Sequence, residues 1–285
     1  QEEVLRILSR NRSPDSLVAG GSVLQRHGFR LSGDQDIFHG PDIDVSATAH
    51  NDIECLNAAG YVVETKQDRE GLVEAIVSYG FAGRTKIQWV QTSAYAFFSP
   101  VPDPDFGWRL HYADLCVNKA LAAADRREVR DIVDLYFIDN NVLPLWHVLW
   151  AAPGKDDAWS PSSILERISR NRAIKQEELD SEIMSVDETI TAGEIGKSLL
   201  NAIDMARVTF PCLPQKSAGC LFVRRDTEEP VQTVNEIIEG NVNEVHARPG
   251  GAWPATAESD SVFVRRLVDR FGENGSKLTV GNCGP

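Results

Sequence analysis

The sequence predicts an α/β protein whose first part alternates helices with strands and whose last part is mainly helical. Three observations predict this. Helical and extended patterns alternate along the chain up to about residue 140. One extended segment, residues 34–38, carries aspartates two positions apart, as expected for a strand with one polar face. The remainder has mostly helical periodicity, so we expect a first domain over residues 1–140 and a mainly helical domain over 141–285.

The length and composition are those of an ordinary globular protein. The 285 residues are 42% hydrophobic and 25% charged, which suffices for one large core or two smaller ones. No apolar run approaches the roughly 20 residues of a membrane-spanning helix. The first residues, QEEVLRILSRNR, lack the apolar segment and cleavage site of a signal peptide. We therefore expect a cytoplasmic protein with no membrane partner.

Charge and cysteine content argue against several classes of function. The formal net charge of -13 argues against a surface that follows nucleic-acid phosphates generally, although it leaves room for a local basic patch. The five cysteines are odd in number and show no C-x-x-C spacing, so we expect neither a zinc site nor a disulfide framework.

The elements before residue 100 follow from periodicity and from turn residues. In order, the patterns predict a helix over 1–8, a short apolar segment over 17–19, a helix over 22–28, a strand over 34–38, a helix over 51–60 and extended segments over 61–65, 72–80 and 85–91. Alternation in the strand puts Asp34 and Asp36 on the same face. Asn51 or Asp52 is the expected N-cap of the third helix.

After a proline-rich loop the pattern becomes mainly helical. It predicts helices over 112–124 and 127–140, capping boxes at Ser163/Glu166 and Thr191/Glu194, and a hairpin over 220–234.

The turn at Gly20-Gly21-Ser22 and the pair Asp34 and Asp36 suggest one site. A glycine-serine turn that opens a helix presents backbone N–H groups and a hydroxyl to a nucleoside triphosphate. Two carboxylates on the next strand suit Mg²⁺, which takes oxygen ligands and usually keeps phosphates among them. Together they predict nucleotidyl transfer. A second pair, Asp42 and Asp44, shows how common the motif is, but it follows a loop signal.

Two longer segments carry a family resemblance. The segments AGGSVLQRHGFRLSGDQDIFH and YADLCVNKALAAADRREVRDIVDL contain, in order, the turn, the aspartate pair and a D-L-x-x-x-K-x-x-A and R-D-x-x-D-L signature. Over residues 17–138 the chain resembles the AbiEii/AbiGii-type nucleotidyltransferase toxin family of the polymerase-beta-like nucleotidyltransferase superfamily. The resemblance implies a nucleotidyltransferase-like fold, in which helices flank a small mixed sheet.

The resemblance also implies site residues and partners. They are Asp34 and Asp36 as ligands of Mg²⁺ (or Mn²⁺), Gly21 and Ser22 at the triphosphate, Lys119 at the nucleotide phosphates and Asp131 as a further active-site acid. It implies an NTP as substrate, a tRNA or protein acceptor, and an antitoxin partner in a toxin-antitoxin or phage-defence system. Taken alone, Lys119 is equally well explained as a surface lysine.

The arginines and acids of residues 126–134 have two interpretations. Arg126, Arg127 and Arg130 form either a phosphate-binding cluster or an exposed helix face with salt bridges. Of these we place Arg130 at the nucleotide, where it can also order Asp131. Asp131 and Asp134 lie at i and i+3, opposite the apolar stripe of their helix, so a solvated face is the alternative.

The chain departs from the superfamily pattern at one position. Superfamily enzymes usually carry a third carboxylate on the strand after the aspartate pair, and here that position is Gln88. An amide cannot accept a hydroxyl proton as a carboxylate does. Either Asp131, Asp134 or Asp44 supplies the acid, or catalysis is weak or absent. The sequence therefore leaves three hypotheses: an active enzyme, a nucleotide-binding pseudoenzyme, and a partner-binding module that keeps only the fold.

Overall fold

A computed structural model describes residues 2–26, 30–80, 83–183, 190–255, 264, 265 and 267. Its helices are α1 Glu2–Leu8, α2 Gly20–Leu24, α3 Val45–Ala58, α4 Tyr112–Asp125, α5 Val129–Asn141, α6 Leu145–Ala151, α7 Pro161–Asn171, α8 Gln176–Glu182, α9 Ala192–Thr209 and α10 Val234–Ile238. The strands are β1 Ser16–Ala19, β2 Asp34–His39, β3 Val62–Arg69, β4 Leu72–Ser78, β5 Arg84–Gln91, β6 Tyr95–Ala96, β7 Val101–Asp103, β8 Gly107–Arg109, β9 Cys220–Arg224, β10 Val242–His246 and β11 Arg248–Pro249.

A seven-stranded mixed sheet forms the centre of the first part of the chain. Its strand order is β3-β4-β5-β2-β1-β8-β7. Strand β2 runs antiparallel to β1 and parallel to β5, whereas β4 runs antiparallel to β5. Helices flank this sheet, so the predicted α/β class is confirmed. The four extended segments predicted before residue 92 appear as β2, β3, β4 and β5.

The two faces of the sheet differ in their cover. On one face, Ile37 of β2 and Ile87 and Trp89 of β5 are fully buried, in a cluster with apolar side chains of α1 and α3. On the other face, Asp34 and Asp36 alternate with these residues and are only partly buried. Apolar burial on one face therefore fixes the pair of aspartates on the opposite, accessible face.

The second part of the chain shares a core with the first. One hydrophobic cluster contains Val23 of α2, Leu115 of α4, Leu149 of α6 and Ile203 of α9. The predicted boundary at residue 140 falls in the last turn of α5, and the division into two domains stays a prediction. The second part is mainly helical apart from β9–β11. None of the helices described is long and apolar enough to cross a membrane.

Asp114 ties the two parts together. Its carboxylate accepts hydrogen bonds from the backbone N–H groups of Phe97 and Phe98, at 2.8 and 3.0 Å. It also pairs with the Nζ of Lys155 at 2.7 Å, and both side chains are almost completely buried. The first acid of the D-L-x-x-x-K signature is therefore a structural residue.

Several predicted element ends were wrong. Helix α3 begins six residues early, because Asp44 caps it by accepting the N–H of Ala47 at 3.0 Å. Asp52, a predicted cap, lies fully buried inside the helix and binds Arg12 and Trp89 instead. Helix α2 begins at Gly20 rather than Ser22. Its predicted stop, Gly28, lies outside the described residues.

Two predictions in the second part also need correction. The capping box of α7 joins Ser160 to Ser163, not Ser163 to Glu166, since Pro161 occupies the first helical position. The box at Thr191/Glu194 is confirmed. The predicted hairpin over 220–234 is present only as a short antiparallel contact, in which Arg224 donates its N–H to Glu229 and Val231 donates its N–H to Phe222. The longer pairing of β9 is with β10.

Candidate active site

A small cleft lies over the accessible face of β2. Its volume is about 90 Å³. The residues that line it are Gly21, Arg30, Ser32, Asp34, Asp36, Gln88, Lys119, Arg126 and Arg130. Most of the predicted site residues are thus brought together, although residues 36 and 119 are far apart in sequence. In a chain of net charge -13, the lining contains four cationic side chains and two carboxylates.

Asp34 is held by two cations. Its Oδ2 accepts a hydrogen bond of 2.7 Å from Nη1 of Arg130. The Nζ of Lys86 on β5 lies 3.5 Å from the same oxygen. These contacts orient Asp34, and a cation that binds it competes with two protein side chains.

Asp36 has no such partner. Among the described residues, none forms a hydrogen bond or ion pair with its carboxylate. Burial raises the pKa of Asp36 above its ordinary value, the charge of Lys119 opposes that rise, and the charge of Asp34 adds to it. A desolvated carboxylate beside a second one favours a cation between them.

The glycine turn fits closely against Asp36. Gly20 has a positive φ of 74°, and a Cβ at this position would collide with Oδ2 of Asp36. A Cβ at Gly21 would lie 2.9 Å from Nη2 of Arg30. Position 20 therefore requires glycine, and a side chain at Gly21 would displace Arg30. Ser22 is half-buried, and its hydroxyl donates to the carbonyl of Ala19 at 3.3 Å.

Lys119 belongs to a buried ion-pair network with two acids of α5. Its Nζ lies 2.8 Å from Asp134 and 3.3 Å from Asp131, and both acids are fully buried. Arg30 makes two hydrogen bonds of 2.7 Å to the carboxylate of Asp134. The pKa of Asp134 lies well below its ordinary value, because Arg30 and Lys119 together outweigh the burial that would raise it.

The alternative of a solvated face on α5 is therefore wrong for Asp131 and Asp134, which are both buried. Asp131 accepts a hydrogen bond of 2.9 Å from Nε of Arg126 as well as contacting Lys119. Its position favours holding these two cations at the cleft over direct contact with a substrate. Desolvation lowers the pKa of Lys119, but the two acids more than compensate, so its net pKa is raised and its charge is secure.

The arginine cluster divides between two places. Arg126 and Arg130 line the cleft, with side chains 46% and 38% exposed. Arg127 points elsewhere and pairs with Glu178 of α8 at 3.0 Å. Each interpretation made from the sequence therefore holds in part. Arg126 and Arg130 form a cationic cluster at the cleft, and all three arginines make salt bridges.

Gln88 lies where the sequence places it. It is level with Asp36 in the parallel pairing of β2 with β5. Its Nε2 donates a hydrogen bond of 2.8 Å to Oε2 of Glu74 on β4. The three acids proposed as substitutes are otherwise engaged, since Asp44 caps α3 and Asp131 and Asp134 are buried in ion pairs.

The donor set of the cleft fits a magnesium or manganese ion. Among the residues described, no three His, Cys, Asp or Glu side chains form a metal-binding cluster. Mg²⁺ commonly needs only one or two protein carboxylates, because waters and substrate phosphates complete its shell. Asp34 and Asp36 on one face of β2 are such a pair, and the unpartnered carboxylate of Asp36 is the first ligand expected to bind.

A larger cavity lies farther along the same strand. This junction cavity, of about 470 Å³, is lined by Leu17, Phe38, Tyr95, Asn118, Leu121 and Lys155, among others. Phe38 is two residues beyond Asp36 on the same face of β2. Asn118 precedes Lys119 on α4, and its Oδ1 accepts a hydrogen bond of 2.9 Å from Lys155. Strand β2 and helix α4 therefore contribute residues to both the cavity and the cleft.

The fold and the cleft define the class: an α/β protein with an Asp-x-Asp pair facing a pocket rich in cations. No protein-family model and no curated protein sequence matches the chain. A candidate nucleotidyltransferase from Helicobacter pylori is 14% identical, covers 75% of this chain and 96% of its own, and has a TM-score of 0.49. JHP933 from the same species is 14% identical, covers 74% of this chain and 92% of its own, and has a TM-score of 0.47.

The nucleotidyltransferase toxin MenT4 of Mycobacterium tuberculosis is also similar. It is 15% identical, covers 72% of this chain and 90% of its own, and has a TM-score of 0.40. At these values the likeness does not carry an activity over to this chain, so the case for function rests on the cleft. The resemblance to the AbiEii/AbiGii-type family stays a prediction.

Proposed function

We propose that the chain is a Mg²⁺-dependent (or Mn²⁺-dependent) nucleotidyltransferase that transfers NMP from an NTP to a hydroxyl acceptor. One observation carries the proposal: Asp34 and Asp36 face a cleft in which Lys119, Arg126 and Arg130 are held by buried or half-buried contacts. Carboxylates for a metal ion and cations for a polyphosphate are the two groups that this chemistry needs.

Each residue then has a role that its contacts support. When bound, the metal ion supplies Lewis-acid polarisation of the α-phosphate. Lys119 neutralises the phosphates, and Asp131 and Asp134 are positioning residues that hold it. Arg126 and Arg130 stabilise the charge that builds up on pyrophosphate as it leaves. Gly21 and Ser22 stay predicted triphosphate contacts.

The junction cavity is the proposed place for the nucleoside. A ligand whose phosphates lie at Lys119 and Asp36 can extend past Asn118 and Phe38 into this space. Its apolar walls and an aromatic side chain suit the face of a base, and few polar groups suffice to orient it. No described residue accepts a hydrogen bond from Nδ2 of Asn118, which leaves that donor for a ligand.

The acceptor and the biological role rest on the family resemblance alone. We propose an RNA 3′-hydroxyl, with tRNA as the first choice and a protein hydroxyl as the second. The role that accompanies it is that of a toxin with a cognate antitoxin, in the cytoplasm.

The alternative is a nucleotide-binding protein without catalysis. The observation that favours it is Gln88, an amide level with Asp36. The test is incubation with α-³²P-labelled NTPs, Mg²⁺ and deproteinised total tRNA, together with calorimetric titration of NTP. Transfer of label supports the enzyme. Binding of NTP without transfer supports the alternative, and no binding leaves only a partner-binding module with this fold.

A further inference from the structure

The proton of the attacking hydroxyl needs an acceptor, and the cleft itself offers none that is free. Asp34 and Asp36 are the proposed metal ligands, and Asp131 and Asp134 are buried in ion pairs. A base that serves this step must be a charged, accessible group beside the metal pair. The following inference rests on the proposed function.

The open side of the metal pair is the sheet itself. The turn at Gly20 closes Asp36 on the side of β1, and Lys119 and Arg130 cover the pair from α4 and α5. Toward β5 and β4, the side chains on the face of the sheet that carries Asp36 stay partly exposed, whereas those on the opposite face are buried. An acceptor hydroxyl therefore reaches the α-phosphate from this side.

Glu74 lies on that side, in the same row of the sheet as Asp36. Asp36 is level with Gln88, and Gln88 is level with Glu74. The ammonium group of Lys86 lies between two carboxylates, 3.5 Å from Oδ2 of Asp34 and 3.8 Å from Oε2 of Glu74. Their side chains are 24% and 26% exposed, so both face the same accessible space.

We propose that Glu74 is the catalytic base that takes the proton of the acceptor hydroxyl. The hydroxyl oxygen forms a bond to the α-phosphorus, and the bond from that phosphorus to the bridging oxygen of pyrophosphate breaks. Pyrophosphate leaves with the electron pair, and the hydroxyl proton passes to a carboxylate oxygen of Glu74. Glu74 on β4 lies one strand farther from Asp36 than Gln88 on β5 does. Its side chain is one methylene longer than that of an aspartate, and this partly offsets the greater distance.

Gln88 and Lys86 hold this carboxylate in place. Gln88 donates a hydrogen bond of 2.8 Å to Oε2, so the amide at this position orients the base instead of replacing it. On β3 the neighbour of Glu74 is Gln67, which is uncharged. Lys86 is the one charged side chain that a described ion pair brings to Glu74.

The test replaces Glu74 by Gln and measures label transfer from α-³²P-labelled NTPs to deproteinised total tRNA. Loss of a general base is expected to slow transfer about 100- to 10,000-fold while NTP affinity stays unchanged. The rate that remains should rise steadily with pH, because hydroxide then removes the proton. The control is Glu64→Gln on β3, a more exposed carboxylate that pairs with Lys66 and Arg84.

A second pair of variants keeps the test decisive. Glu74→Asp retains the charge and should keep intermediate transfer. The exchange Glu74→Gln with Gln88→Glu retains a carboxylate and an amide in the same row, and should recover about tenfold or more of the lost rate. If Glu74→Gln transfers label as fast as the wild type, Glu74 is not the base, but the proposed function stands. The same holds if the variant loses NTP affinity by the same factor as its transfer rate. A wild-type protein that binds NTP and transfers nothing overturns the proposed function as well.

Discussion

Arg130 donates a hydrogen bond of 2.7 Å from Nη1 to Oδ2 of Asp34, across the mouth of the cleft. The two side chains are 38% and 24% exposed, so solvent weakens the pair and a competing cation can displace the guanidinium. Once displaced, the guanidinium is free for phosphate oxygens, which it binds with the same geometry. Metal and nucleotide binding should therefore be coupled through this one side chain.

Replacing Arg130 by Gln should move the two affinities in opposite directions. Binding of Mn²⁺ without nucleotide should strengthen by up to about fivefold, since an exposed ion pair contributes up to about 1 kcal/mol. Binding of NTP should weaken by about 1.5–3 kcal/mol, the contribution of a charge-assisted hydrogen bond. Calorimetry with each ligand measures both. Arg127→Gln, outside the cleft, is the control, and a shift of both affinities in one direction would contradict the coupling.

Lys119→Ala should weaken NTP binding and destabilise the fold together. The affinity should fall by about 1.5–3 kcal/mol through loss of the charge at the phosphates. The free energy of unfolding should fall by about 2–3 kcal/mol, because Asp131 and Asp134 are fully buried and each loses a partner.

The matched control is Arg12→Ala, which removes a fully buried cation from Asp52 outside both the cleft and the junction cavity. It should lower stability by a comparable amount and leave NTP affinity unchanged in the folded protein. Urea unfolding and calorimetry separate the two effects. If both variants lose the same NTP affinity, Lys119 acts only through the fold.

Filling the junction cavity should exclude the nucleoside. Leu121 is half-buried on α4 and lines this cavity, so Leu121→Trp places an indole into it with limited disturbance of the core. The KM for NTP should rise about tenfold or more, because one lost contact of about 1.4 kcal/mol already has this effect. Binding of Mn²⁺ alone should not change. An unaltered KM would place the nucleoside elsewhere.

Stability should fall in mild acid because two histidines are buried in the neutral form. Burial lowers the pKa of His147 to about 4, and burial together with the charge of Arg12 lowers the pKa of His39 to about 4. The unfolded chain takes up these protons near pH 6.5, whereas the folded chain does not until about pH 4. Their contribution to stability is therefore complete above pH 6.5 and is lost as the pH falls toward 4.

The expected slope is up to about 1.4 kcal/mol per pH unit for each histidine. The Nε2 of His147 accepts a hydrogen bond from the N–H of Phe222, and Nδ1 bonds to the carbonyl of Val231. His147→Gln can keep both bonds without titrating, so urea unfolding at pH 7.5, 6.5 and 5.5 should show a smaller slope. An identical slope would show that His147 does not contribute.

Local sequence patterns were enough to predict strands β2 and β5 and the face of the sheet on which Asp34 and Asp36 lie. The alternation in DQDIF and TKIQWVQ fixed which side chains share a face, since burial of Ile37, Ile87 and Trp89 leaves no other register. This is why the sequence correctly placed Gln88 beside the aspartate pair.

Contacts between distant segments decided what the sequence could not predict. Helical periodicity puts Asp134 opposite the apolar stripe of α5, yet Arg30 and Gln25, more than a hundred residues earlier, bury it. Asp44 and Asp52 are equally good caps by residue type, and only the contacts of Asp52 with Arg12 and Trp89 decide between them. Glu74 could not be identified from the sequence, because its position beside Gln88 depends on the order of the strands in the sheet, and no local pattern specifies that order.

The double variant Asp34→Asn/Asp36→Asn tests the assignment of the metal pair. Asn keeps the shape of Asp and removes the charge that binds the cation. The fold should persist, because Asp36 is a desolvated carboxylate without a partner and its neutralisation relieves the repulsion by Asp34. Circular dichroism and urea unfolding check this, and they make any loss of activity interpretable.

The most direct measurement is the Mg²⁺-dependent transfer of label from α-³²P-labelled NTPs to total tRNA by the wild-type protein and by this double variant. We predict transfer by the wild type that requires Mg²⁺ or Mn²⁺ and disappears in the folded variant. Full transfer by the variant in the presence of Mg²⁺ would contradict the account, because Asp34 and Asp36 would then not be the residues that hold the metal ion.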